Sequence, residues 1–150
     1  MFFADRMLGK LAKKLRLLGF DTMYLSQIDE EKILELCRQN SRILITRDRV
    51  LHSRALKNGI NSIIIHSDKW REQLVELSIY FDLKNHEKMT RCSVCNTPFV
   101  EISVEEIRDR VPLYVQDTHN SFFMCPVCNK IYWAGSHVQH ALEEFRRVGI

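Results

Sequence analysis

In the first half of the chain, hydrophobic residues fall into two alternating kinds of run. Short apolar blocks occur at Met1–Ala4, Thr22–Leu25, Ile43–Ile45 within Arg42–Arg49, and Ser62–His66. A short continuous apolar block bounded by polar residues suits a strand buried on both faces. Between the blocks the apolar positions take helical spacing. Leu8, Leu11, Ala12, Leu15 and Leu18 form one stripe that stops at Gly19, and Ile33, Leu34 and Cys37 form the next, after the acidic Asp29-Glu30-Glu31. Acidic residues in a helix's first turn complement its dipole. Val50 to Lys57 predicts a third helix stopping at Asn58-Gly59, and Trp70, Leu74, Leu77 and Phe81 mark a fourth. Strands alternating with helices build right-handed crossovers and a parallel sheet, so the expected class is α/β.

After residue 81 the pattern changes. Asp82 to Thr90 is polar without a period and reads as a linker. Cys92-Ser-Val-Cys95 and Cys125-Pro-Val-Cys128 then enclose 29 residues, with a short helix expected near Val104 to Val111, ended by Pro112. Val138, Ala141, Leu142 and Phe145 predict a final amphipathic helix. Two units are expected, 1–88 and 89–150.

Composition narrows the class. The 150 residues, 45% hydrophobic and 27% charged, read as globular, and no apolar run is long enough to span a membrane. Met1-Phe2-Phe3-Ala4 meets Asp5 without a basic region, unlike a signal peptide, so a cytoplasmic protein is expected. The net charge of +3 is uneven. Residues 1–90 hold 16 Lys and Arg against 12 Asp and Glu, whereas residues 91–150 hold 6 against 7. Only the first unit has a cationic excess to offer a polyanion.

The cysteines carry the most specific signal. Each Cys-x-x-Cys turn aims two thiolates at one ion, and two turns complete a closed tetrahedral site, so Cys92, Cys95, Cys125 and Cys128 are expected to bind structural zinc. A redox pair or an iron–sulfur centre uses the same residue types. Cys37 is left over and reads as a small buried hydrophobe.

Asp5, Asp29 and Asp48 each follow a predicted strand. Ligands bind at the carboxyl edge of a parallel sheet, and pairing of the first and third strands would set Asp5 and Asp48 at a topological switch point. Each aspartate also suits a helix N-cap, the commoner role for one alone. Clustered carboxylates need a hard cation to ionise together, which points to Mg²⁺ or Mn²⁺. Thr46 is placed to hydrogen-bond an acid or a ligand. Arg6, Lys10 and Lys13 share a helix stripe beside Asp5. With Lys14, Arg47 and Arg49 they form a candidate contact for a phosphodiester backbone, although a solvated face is the commoner role for any one lysine alone. His137 and His140 read as helix decoration, and Tyr132 and Trp133 either pack on the cysteine unit or stack on a base.

Several segments together resemble a known family. Asp5-Arg-Met-Leu-Gly-Lys-Leu-Ala12, Leu17-Leu-Gly-Phe-Asp-Thr22, Ile43-Leu-Ile-Thr-Arg-Asp48, Arg91-Cys92 to Cys95, and Cys125 to Trp133-Ala-Gly-Ser-His137 are similar to the mutator-seven C-terminal RNase family. That family joins a PIN-like ribonuclease domain to a zinc ribbon. The resemblance implies a PIN-like three-layer fold with a central parallel sheet over residues 1–88, and a zinc ribbon with a C-terminal helix over 89–150. It further implies metal-dependent RNA cleavage, with Asp5, Asp29 and Asp48 as ligands of Mg²⁺ or Mn²⁺. PIN-like domains usually add an acid from a helix between the first strand and the Asp29 position, where this chain has only a short strand and loop. Glu30 is the candidate for that fourth place. The alternative is an RNA- or ribosome-binding adaptor whose acids only cap helices. A phosphoacceptor domain would need paired acids after the first strand and a lysine ending a fifth, and the sequence offers neither.

Overall fold

The computed structural model describes residues 1–150. Its first unit is a four-stranded parallel sheet of β1 (Phe2–Ala4), β2 (Thr22–Tyr24), β3 (Ile43–Thr46) and β4 (Ser62–Ile64), in the order β2-β1-β3-β4. Successive strand residues point to opposite faces, so β1 divides its side chains between two cores. Phe2 and Ala4 join Leu11, Leu15, Ile45 and Leu74 on one face; Phe3 joins Ile33, Leu44 and Leu51 on the other. Helices α1 (Gly9–Leu17) and α4 (Trp70–Ser78) cover the first face, and α2 (Glu30–Gln39) and α3 (Arg49–Lys57) the second. This is the parallel α/β sheet expected from the strand and helix periods, in the three layers that the family resemblance implies. A 3₁₀ turn over Arg6–Leu8 connects β1 to α1.

The second unit is a three-stranded antiparallel ribbon of β5 (Val100–Ile102), β6 (Phe122–Met124) and β7 (Ile131–Trp133), with two short helices, α5 (Val104–Ile107) and α6 (Leu113–Thr118). The helix expected over 104–111 is divided. A Ser103–Glu106 capping box starts α5, which stops at Ile107, and Pro112 precedes α6 rather than ending a longer helix. Proline's fixed φ favours helix starts, which accounts for the division.

The expected linker is packed structure. Leu83 is buried in the first core, His86 stacks on Phe20 with ring centroids 4.1 Å apart, and Met89 N donates to Leu17 O. Gly19, at φ +91°, makes this possible, since a Cβ there would lie 2.0 Å from Glu87 O. The terminal helix α7 (Ser136–Arg147) also crosses the expected boundary, because Phe145 and Ile150 are buried in the first unit's core. Lys14 and Arg71 both pair with Glu144 on α7.

A buried arginine joins the units at the sheet's amino edge. Arg16, 5% exposed, donates from Nε to Thr22 O (2.9 Å) and from one terminal nitrogen to Ser93 O (3.1 Å) and Val94 O (2.7 Å). Asn96 reinforces the contact, accepting from Thr22 N and donating to Asp21, which also holds Arg42 at 2.8 Å. The cysteine unit therefore docks on the amino edge, leaving the carboxyl edge open.

Candidate active site and cysteine centre

The strand order reverses between β1 and β3, and there the Thr46 hydroxyl lies between the Asp5 carboxylate and the Asp48 backbone amide. Asp5 N continues the β1–β3 ladder to Ile45 O (2.9 Å), so the two strand ends are level. Asp5 is 2% exposed; one of its oxygens accepts from Arg6 N at 2.6 Å and the other from Thr46 Oγ1 at 2.8 Å. Thr46 Oγ1 in turn accepts from Asp48 N at 3.0 Å. The buried hydroxyl thus links the two aspartates. Asp48 Oδ1 caps α3 through Val50 N and Leu51 N, at 2.7 and 3.1 Å, which leaves Oδ2 unengaged.

The acid of α2 that contacts a neighbour of this edge is Glu30. Its carboxylate lies 2.6 Å from Arg54 and 3.9 Å from Arg6, the residue after Asp5. Asp29 caps α2 by accepting from Lys32 N, and lines a polar groove with Glu31, Glu35 and Arg38. All three aspartates therefore serve as caps. No three carboxylates bring their oxygens within 4.8 Å of one another, so the trio is not gathered into a closed cage. Nothing in the sequence marks Arg54 as a site residue. It sits mid-helix at ordinary spacing, and only the α2–α3 contact gives it Glu30 and Glu31 as partners.

The basic residues divide by direction. Arg6, Lys10, Lys13 and Arg49 are exposed, and Lys10, Lys13 and Arg49 have no ion-pair partner. Arg47 is half-buried, with Nε unpartnered. Lys14 faces elsewhere, pairing with Glu144 at 2.9 Å and lying 4.2 Å from the centre of the Trp70 ring.

At the opposite edge Cys92, Cys95, Cys125 and Cys128 place all four sulfurs within 4.8 Å of one another. Cys92–Cys128 is 3.9 Å and Cys95–Cys125 is 3.3 Å. A tetrahedral zinc–thiolate site with bonds of ~2.3 Å separates its sulfurs by about 3.8 Å, so the cluster is able to hold zinc. In each pair the residue after the second cysteine is an asparagine in the left-handed region, Asn96 (φ 70°) and Asn129 (φ 54°). Their backbone N–H groups return to Cys92 O and Cys125 O, at 2.9 and 2.8 Å. The repeated Cys-x-x-Cys-Asn was the sequence signal for these matching knuckles. Burial opposes ionisation of Cys95, but hydrogen bonds with Thr97, Cys128 and Cys125 outweigh it and bring the thiol down to about 6. Tyr132 OH lies 3.4 Å from Cys92 Sγ, so Tyr132 packs on the ribbon.

A three-layer parallel α/β domain, with a carboxylate pair at its switch point and a four-cysteine ribbon on the far edge, has the architecture of a PIN-like domain joined to a zinc ribbon. The chain belongs to the Mut7-C RNAse domain family, whose model matches residues 1–145. Membership in that family points to a ribonuclease with RNA as substrate. No curated protein and no solved structure matches the chain. No helix is long and apolar enough to cross a membrane.

Proposed function

We propose that this protein is a divalent-metal-dependent ribonuclease that hydrolyses RNA phosphodiesters at the β1–β3 switch point. The supporting observation is the buried Thr46 hydroxyl, which donates to the Asp5 carboxylate and accepts from the Asp48 backbone N–H, tying the two strand ends together. A helix cap needs no such link, and it holds the Asp5 carboxylate in one orientation at the edge where α/β sheets bind ligands.

The donors here are carboxylate and hydroxyl oxygens, which suit Mg²⁺ or Mn²⁺. Mg²⁺ is usually held by one or two carboxylates with retained waters, so Asp5 and Asp48 suffice without a closed cage. Each Asp5 oxygen accepts one hydrogen bond and keeps a second lone pair. Bound there, the cation would supply Lewis-acid stabilisation of the phosphate and activation of water. Asp5 and Asp48 hold this position and Thr46 orients the first of them. Glu30, steadied by Arg6 and Arg54, fills the fourth acid's place. Asp29 remains a ligand candidate by family order, although the contacts of α2 favour Glu30. Arg6, Lys10, Lys13, Arg47 and Arg49 neutralise the RNA backbone, and the ion-paired Lys14 is left out of that set. Zinc in the ribbon is structural. Unpaired cysteines suit a reducing compartment, and we take that to be the cytoplasm.

The test is Asp48→Asn, which keeps a good N-cap on α3. Over an RNA panel with Mg²⁺ or Mn²⁺, the variant should cleave at least ~100-fold more slowly, because loss of a metal ligand removes the ion's contribution. Equal rates would refute the assignment. The capping role of all three aspartates favours a second reading, a non-catalytic RNA-binding adaptor, which predicts salt-sensitive binding indifferent to Mg²⁺ and to Asp48.

A further inference from the structure

A cleft between α1 and α4 opens beside the acids, since Arg6, which follows Asp5, forms part of its wall. It encloses about 610 Å³, within the range of ligand pockets. Four cations (Arg6, Lys10, Lys69 and Arg71) face two carboxylates, Asp68 and Glu72. We propose that this cleft seats the single-stranded RNA segment flanking the scissile phosphate, with Lys10 and Lys69 as its phosphate contacts. The inference rests on the ribonuclease reading and extends it to residues on α4, which the strand-edge pattern does not reach.

The partners of each cation select these two lysines. Lys10 is exposed and unpaired, and Lys69 is 3.2 Å from Glu72, with both side chains more than half exposed. A surface pair of that kind is worth little, so a phosphate displaces the glutamate at small cost. Arg71 is committed to Glu144 and to the Trp70 ring, its guanidinium 4.6 Å from the ring centre. It therefore forms wall rather than contact. Lys14 also lies on Trp70, which leaves Tyr24 as the aromatic side of the cleft. The Tyr24 hydroxyl donates to Arg6 O at 3.2 Å, and the ring lies so close to α1 that a Cβ on Gly9 would be 2.8 Å from the phenol oxygen. An aromatic wall beside exposed cations that are free or only weakly paired suits unpaired bases on a flexible backbone. Duplex RNA is instead read over an extended face of ~16 base pairs, which an inter-helix cleft does not provide.

Binding separates this proposal from catalysis. Asp48→Asn protein is titrated against a labelled oligouridylate and against a duplex of equal length, by fluorescence anisotropy over a range of salt. Lys10→Glu and Lys69→Glu, each added to that background, should weaken single-strand binding at least ~10-fold and flatten the log K against log salt slope by about 0.7 per lost phosphate contact. Lys57→Glu, at the far end of α3, should leave both unchanged. The neutral Lys10→Gln and Lys69→Gln should give smaller losses in the same direction, with circular dichroism confirming the fold. Parent-like affinity in both lysine reversals, or duplex binding as tight as single-strand binding, overturns the cleft assignment. Parent-rate cleavage by Asp48→Asn would remove the hydrolytic reading alone, because these affinities do not depend on turnover.

Discussion

Replacing Arg16 with methionine should loosen the whole chain and not only the cysteine unit. The guanidinium makes three hydrogen bonds, to Thr22 O inside the first unit and to Ser93 O and Val94 O between the first two cysteines. Burial lowers the Arg16 pKa from the ordinary arginine value, and the Cys92 and Cys95 sulfurs oppose that shift without reversing it. Methionine keeps most of the side-chain volume but leaves these carbonyls without a donor. Hydrogen bonds to charged groups are worth roughly 1.5–3 kcal/mol each. The Thr22 contact is buried and counts in full, whereas the two knuckle carbonyls are partly exposed and regain water. The expected loss is therefore about 3–5 kcal/mol, less than the sum of three full contacts. For a domain of this size that lowers the melting temperature by on the order of 10 °C. Thermal and urea denaturation with zinc present measure the loss, and a chromogenic chelator should draw zinc from Arg16→Met faster than from the parent. Arg16→Lys keeps the charge without the planar fork and should recover only part. A melting temperature within about a degree of the parent would show that the clamp does not couple the two units.

Other outcomes follow from the same contacts. Thr46→Val deletes the hydroxyl between Asp5 and Asp48 and should cost about 1–3 kcal/mol of stability, with at least ~10-fold slower RNA cleavage; Thr46→Ser should restore both, and an active valine variant would refute the link. Gly19→Ala should destabilise by at least about 2 kcal/mol, because a side chain there meets both the left-handed backbone and Glu87 O; a urea midpoint unchanged from the parent would contradict this. Burial raises the Asp21 pKa, but hydrogen bonds from Arg42 and Asn96 outweigh it and hold the carboxyl below the usual aspartate range. Its stabilising contribution is thus present above the unfolded aspartate pKa of about 3.9 and is lost as pH falls through the lower folded value. The stability gap between parent and Asp21→Asn should narrow over that acid window, as followed by tryptophan fluorescence; a constant gap would argue against the ion pair.

The alternation of strand and helix was legible because each element's apolar period is local. β1 and β3 showed as apolar blocks, α1 and α4 as helical stripes, and the aspartates as residues following strand ends. The cysteine centre was equally legible, since two residues between ligands already specify a turn. The division of the expected 104–111 helix was less so, because a proline can stop one helix or begin the next.

What the sequence determined by itself is therefore the inventory: a parallel α/β unit, two cysteine knuckles, and acids with a basic stripe at strand ends. The tertiary structure decided the pairings. It paired Glu30 with Arg54 and Arg6, gave all three aspartates capping roles, took Lys14 out of the basic set by giving it Glu144, and made Arg16 the clamp between the units. It also carried Phe145 back into the first core across the boundary expected near residue 88. The physical reason is one of range. Periodicity and spacing report interactions within a few residues along the chain, whereas the partner of a charged side chain is set by how distant segments pack.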